Sequence, residues 1–581
     1  MSGDEHDFRV RPGRGRDAGA GLGQRGKRLA AEVKRAAARS GAARVRRGQA
    51  SRTGTGRHGR GRRALAVIRR GPSQRRVTVT ARIARHRGAQ FRAAPLARHI
   101  AYLERDGVTR DGRDTWMFDA AGDEADRSAF AGRCAEDRHH FRFIVSPEDA
   151  AELADLRGLT RSLMRQMEAD LGTSLDWVAV DHWNTDNPHI HLLVRGVADD
   201  GSDLVIDRGY MAEGVRGRAS EIATLELGPR TELHIDTALR REVEAERWTG
   251  LDAELCARGR LADVVDLRPA EGRAPGRERH LLGRAAKLEA LGLATKVGPA
   301  QYIIDPEAET TLRALGERGD IIKTMHREMR AQGLAFDASS LAIGAESEAR
   351  IAGRLVARGL DDELAGSAFA IVDGVDGRTH HLRFADLEWT GDAAPGAIVE
   401  LRHWDGRDGT RHRSLAVRSD LPIDRQIEAE GATWLDRQRA APDPSLRAAG
   451  FGLEVRDAMK ARGAYLERHA SVQGRGDRAE AGKDRIKALR RSDVDRAIES
   501  IAARTGLDHR PSAPGEHVSG IYRERVQLAS GRFAMIDDGL GFQLVAWRPA
   551  LDNHLGRHIS GTATSGGGID WALGRGRGMG I

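Results

Sequence analysis

A chain of 581 residues with a formal net charge of +9 is too long for one hydrophobic core and is expected to fold as several domains. It has no apolar run of the roughly 18 residues that a membrane span needs, and no apolar stretch follows its basic N-terminus as in a secretory signal. Its two cysteines, Cys134 and Cys256, are too few for a disulfide framework or a structural zinc site, so no membrane insertion and a reducing cytoplasm are expected.

The charge is uneven. Residues 1–76 hold 22 Lys+Arg against 5 Asp+Glu, a balance of +17, and the remainder of the chain is net acidic. This arginine-, glycine- and alanine-rich segment predicts a disordered basic tail with a short helix near 27–39, suited to gripping phosphates. Order is expected from Val77, where VTVTARIARH alternates as a strand. A short helix follows over 95–105, then a polar helix near 123–136. HHFRFIVS places Phe141, Phe143 and Val145 on one strand face. Pro147 is expected to open a long amphipathic helix to about 171. LDWVAVDHW and HIHLLVRG read as two paired strands across the NTDNP turn, and a helix over about 208–226 closes the unit. Residues 77–235 thus predict an α+β domain, an antiparallel sheet backed by helices.

Residues 236–335 read as helical, with a Pro/Gly/Arg-rich linker at 268–279. A helix follows whose Leu281, Ala285, Leu288 and Leu291 share a face; Gly292 caps it and a strand pair completes a winged-helix-like region. Residues 345–420 predict a small β-barrel or sheet domain with a hairpin at Asp376-Gly377. A charged helical region is expected over 425–510, a short β-rich module over 511–560, and a flexible glycine-rich tail over 561–581. No internal repeat is evident.

The richest segment is DHWNTDNPHIHL, 181–192. His189 and His191 sit two apart in a strand, so both rings leave one face, and His182 ends the neighbouring strand. Three imidazoles converging on one point leave open positions for substrate oxygens, as a catalytic divalent metal requires. Zinc binding or a polar sheet edge are the other readings of three histidines. The pairs His139/His140 and His380/His381 read as surface strand residues.

The motif H-x-x-x-x-x-P-H-hydrophobic-H resembles that of HUH relaxases, nucleases of the conjugative and T-DNA type of transfer. The resemblance implies an HUH nuclease fold in which His182, His189 and His191 hold Mg2+ or Mn2+. The family often carries an acid two residues after the first histidine; here Asn184 stands there, and Asp181 or Asp186 is the candidate replacement. The resemblance also implies a catalytic tyrosine on a helix upstream, and Tyr102 is the one tyrosine upstream of the motif. Attack by a phenolate keeps the phosphodiester energy in a phosphotyrosine, so the nick is resealable. Tyr210, downstream, would serve instead in a replication initiator of the same chemistry. Ser146, at the expected strand-to-helix junction, is a candidate phosphate contact. The expected function is a site- and strand-specific nick at a transfer origin, with DNA and, by resemblance, a type IV secretion coupling protein as partners. A non-catalytic DNA-binding regulator with structural histidines is the remaining alternative.

Overall fold

The computed structural model describes residues 57–573 apart from 69–70, 72, 87–93, 107–108, 112, 114, 184–186, 270–274, 345–349, 363, 407–408, 471–480 and 566–567. The helix expected near 27–39, Asn184 and Asp186 therefore lie outside the described residues. The chain divides between Glu317 and Arg318 into two compact units. Both are α+β, built from mainly antiparallel sheets backed by helices. Among the described residues no helix is long and apolar enough to cross a membrane.

The first unit is organised by a four-stranded sheet, β1 (Val77–Arg85), β2 (His139–Pro147), β3 (Trp177–His182) and β4 (His189–Arg195), in the order β1-β2-β4-β3. Every pairing is antiparallel. Strand alternation gives the sheet two chemically different faces. One carries Val79, Ala81, Phe141, Phe143, Val145, Ile190, Leu192 and Val194, all buried in a single core. Helices α4 (Leu156–Leu171) and α5 (Val215–Leu227) add Leu159, Leu163, Met167 and Ala219 to that core. Each large side chain so buried contributes about 1.5–3 kcal/mol. The other face carries the histidines, with Arg82 on β1 directly opposite Arg142 on β2. Helix α2 (Ala94–Asp106) packs there, and α3 (Arg127–Arg133) packs beside α2.

Two expectations fail at the start of this unit. Helix α1 (Arg57–Val67) belongs to the fold: Ala64 is in the core, and Arg60 donates from Nη1 to the carbonyl of Gly172 at 3.0 Å. The basic segment 1–76 is therefore not tail throughout. The long helix also starts later than Pro147. β2 continues through Pro147, a 3-10 turn spans Ala150–Glu152, and α4 begins at Leu156 behind the N-cap Asp155. Pro147 is the terminal strand residue, a place where a missing N–H is tolerated.

The rest of the first unit contains α6 (Glu232–Glu244), α7 (Gly250–Ala262), β5 (Val265–Asp266), α8 (Pro275–Ala290), β6 (Ala294–Gly298) and β7 (Gln301–Ile304), with strand order β5-β7-β6. Leu281, Ala285 and Leu288 are buried as the heptad-like spacing requires, and Gly292 takes φ +74° at the helix end. Helix α9 (Ala308–Ala331) adds Ala308 and Leu312 to this core.

The second unit contains β8 (Leu341–Ile343), β9 (Ala352–Asp362), β10 (Ser367–Gly374), β11 (Thr379–Phe384), β12 (Ile398–Asp405) and β13 (Arg411–Ser419). The five strands of the region 345–420, joined by β8 in parallel with β11, form an open six-stranded sheet, order β13-β12-β9-β10-β11-β8, with no pairing between its outer strands among the described residues; the barrel alternative does not hold. Four helices follow, α10 (Ile423–Ile427), α11 (Trp434–Ala440), α12 (Gly450–Ala470) and α13 (Ala481–Thr505). The last sheet contains β14 (His517–Leu528), β15 (Gly531–Asp537), β16 (Phe542–Ala546), β17 (His558–Ala563) and β18 (Ile569–Trp571). The end of β17 and all of β18 lie beyond Ser560, so that part of the expected flexible tail is sheet.

The structure also overturns the expected lack of a repeat. Arg284 and Asp252 are fully buried, and the guanidinium bonds both carboxylate oxygens and the carbonyls of Val243, Ala245 and Arg247. Arg462 does the same to Asp436 and the carbonyls of Ile427, Ala429 and Gly431. In both, the aspartate closes a capping box with the threonine that starts its helix, Thr249 or Thr433. The sequences agree once aligned on these bonds: REVEAERWTGLD at 241–252 matches RQIEAEGATWLD at 425–436, and RAAKLE at 284–289 matches RGAYLE at 462–467. A helical module thus occurs once in each unit.

Candidate metal centre

The hairpin β3–β4 builds the centre. His182 and His189 are direct cross-strand partners, and His191 lies two residues along β4 on the same face. The three rings offer ligand atoms within 4.8 Å of one another. His182 and His191 are buried, while His189 is half-buried and opens the site to solvent.

The hydrogen bonds show which nitrogen of two rings carries the proton. A carbonyl only accepts, so His182 donates from Nε2 to the carbonyl of Leu103 at 2.9 Å, leaving its Nδ1 as the lone-pair atom. His189 likewise donates from Nδ1 to the carbonyl of Asn187 at 2.9 Å, leaving Nε2. A ligating histidine is held in place by this kind of second bond. Nε2 of His189 is 3.1 Å from Nε2 of His191. Two nitrogens each about 2.1 Å from one cation, at right angles, stand about 3 Å apart. The residues present fit a divalent cation, and among the described residues they are the one cluster of three or more metal-ligating side chains.

Tyr102 is buried on α2, the residue before Leu103. His99, one helical turn earlier and on the same helix side as Tyr102, is buried. Burial pushes its imidazole well below the usual histidine range, and the charges of Arg142, His191 and His140 push the same way. The helix side that carries Tyr102 therefore faces the histidine side of the sheet.

Tyr210 is placed quite differently. It has no exposed surface and sits in the core on the opposite, helix-backed face, in the π-turn Tyr210–Gly214. Its hydroxyl donates to Asp170 at 2.7 Å, a carboxylate also held by Arg218. Burial and this bond push the phenol far above its usual value.

The remaining expected residues divide. Asp181 takes the opposite face from His182 because it is the neighbouring strand residue. Its carboxylate accepts from Arg157 at 2.9 Å and from Trp183 at 2.8 Å, so it does not replace the missing acid. Ser146 is on the histidine side, two residues beyond Ile144, the cross-strand partner of His191. It pairs with Thr78 within the sheet, and no helix begins there to offer it free N–H groups. His140, His380 and His381 are buried rather than superficial. His140 contacts His86 at 2.8 Å and Arg142 at 3.0 Å; His380 contacts Asp376 at 3.1 Å. The sequence reading missed His99 and Arg142. Their spacing, a histidine three before the tyrosine and an arginine on the even positions of β2, was the available signal.

A family model described as "Protein of unknown function (DUF3363)" matches residues 281–411 and 404–580, together just over half of the chain. No curated protein and no solved structure matches.

Proposed function

We propose that this chain, which belongs to the DUF3363 family of proteins of unknown function, is an HUH-type DNA relaxase. The observation that carries the reading is the junction at His182: one hydrogen bond joins the metal-ligating hairpin to the helix turn bearing the single upstream tyrosine. His182, His189 and His191 would hold Mg2+ or Mn2+, which when bound withdraws charge from the scissile phosphate. Tyr102 attacks the phosphorus. Its oxygen–phosphorus bond forms as the bond to the 3′-oxygen breaks; the phenol loses its proton and the departing 3′-oxygen gains one. The products are a 5′-phosphotyrosyl strand and a free 3′-hydroxyl.

The helices α6, α7 and α8 with the sheet β5-β7-β6 support a winged-helix reading, suited to duplex DNA at a transfer origin. The cytoplasm and a secretion coupling protein complete the proposal by resemblance. The initiator alternative loses support because the Tyr210 hydroxyl is committed to Asp170 in the core. The test is to incubate the purified chain with supercoiled DNA bearing its origin and Mn2+, digest with protease, and look for a nucleotide-linked Tyr102 peptide. A nicked product with no protein-linked 5′ end rules the proposal out, and the absence of any nick favours the DNA-binding regulator.

A further inference from the structure

The second unit carries an exposed aromatic group that the relaxase reading does not use. Trp404 near the end of β12 is the direct cross-strand partner of His412 on β13. Their rings stack with centroids 5.5 Å apart at 23°. Trp389, from the short 3-10 helix Leu387–Thr390, joins them at 4.9 Å from Trp404 and 6.0 Å from His412. Trp404 remains 38% exposed, in a chain only 4% aromatic. Arg402, two residues back on the same strand face, is also exposed and forms no hydrogen bond or ion pair among the described residues. Arg411 stands exposed at the end of the paired strand.

We propose that the Trp389–Trp404–His412 stack, with Arg402 beside it, is a binding site for single-stranded nucleic acid. A flat ring surface with a cation at its rim is what an unpaired nucleotide offers partners for: the base stacks on the indole and the phosphate meets the guanidinium. Such stacking is indifferent to sequence because every base has a π-face. The stack lies at the edge of its sheet, since β13 is the outer strand. The choice of a single strand as occupant rests on the relaxase reading, whose product is an unpaired strand. The site would hold that strand without chemistry of its own.

The test uses the full chain in EDTA with a 30-nucleotide oligothymidylate carrying photoreactive 5-iododeoxyuridine. Crosslinks are mapped by mass spectrometry and affinity by fluorescence anisotropy. Crosslinking to the peptides holding Trp389, Trp404 or His412 is expected. Trp404→Ala should weaken binding roughly tenfold, about one base stack, while Trp404→Phe keeps most of it. Arg402→Ala should flatten the salt dependence. Unchanged affinity in Trp404→Ala, or crosslinks confined to the first unit, overturns the proposal. The two readings fail separately: an adduct on Tyr102 without hairpin crosslinks removes only this site, and hairpin crosslinks without an adduct remove only the relaxase.

Discussion

His182 donates from Nε2 to the carbonyl oxygen of Leu103 at 2.9 Å, tying the end of β3 to the helix turn that begins with Tyr102. The bond does two things at once. It sets the tautomer of His182 in which Nδ1 carries the lone pair, and it ties the helix to the histidine side of the sheet. On the proposed reading, a helix so anchored keeps Tyr102 in place relative to the three histidines.

Tyr102→Phe should therefore remove the covalent protein–DNA adduct while leaving the fold, metal binding and single-strand binding in place. Tyr210→Phe should do the converse. It loses a hydrogen bond to a charged carboxylate and about 1–3 kcal/mol of stability, yet forms the adduct. Gel mobility of protein-linked DNA and chemical denaturation of both variants check the pair. An adduct formed by Tyr102→Phe but lost in Tyr210→Phe would reverse the assignment.

The donor set among the described residues is three imidazoles and no carboxylate. Imidazole prefers the later transition metals, so affinity should rise in the order Mg2+, Mn2+, Co2+, Ni2+. Isothermal titration of the metal-free chain reads this directly. His191→Ala should cost more than the roughly 10–100-fold that loss of a ligand's own hydrogen-bond partner costs. Tighter binding of Mg2+ than of Mn2+ would point to an oxygen donor in the set.

Removal of residues 1–56 should flatten the salt dependence of DNA binding, because it deletes 14 Lys+Arg against 5 Asp+Glu, +9 of that segment's +17. Removal of residues 1–70 should in addition destabilise the first unit by about 2–3 kcal/mol. That cut takes away α1, with Ala64 in the core, the Arg60 bond to Gly172 and the Arg62 pair with Asp207 at 3.1 Å. Calorimetry of the two truncations separates helix from tail.

The hairpin that makes the centre was legible because period-2 alternation fixes which side chains share a face. The same rule, followed one residue further, puts Asp181 on the wrong side to help His182. The α1 helix was not legible: its apolar positions are few among arginines and glycines, and its order comes from packing against the core. The α4 boundary was misplaced because Pro147 also tolerates a strand end. The burial of His140, His380 and His381 was hidden by their polarity: His140 bonds His86 and Arg142, His380 bonds Asp376 across a turn, and His381 stacks on Phe369. The repeat was hidden for another reason. Its two copies are separated by a whole sheet and agree at a handful of positions, whose meaning becomes visible once Arg284 and Arg462 are seen in identical roles.

That identity gives the last prediction. A guanidinium has five N–H donors, and in each module all five are used on one carboxylate and three carbonyls. Arg284→Ala strands a buried Asp252 and three carbonyls; Arg462→Ala does the same to Asp436 and its three. Each change should cost about 3–5 kcal/mol, the loss expected when one partner of a buried ion pair is removed. Lysine should not rescue either, because one ammonium has three donors and cannot span acceptors on both sides of the planar fork. The two sites share no partner, so the double variant should lose the sum to within about 0.5 kcal/mol. Denaturant unfolding of the four proteins measures this. A large loss at Arg284 with none at Arg462 would mean that the second copy keeps the bonds but no longer depends on them.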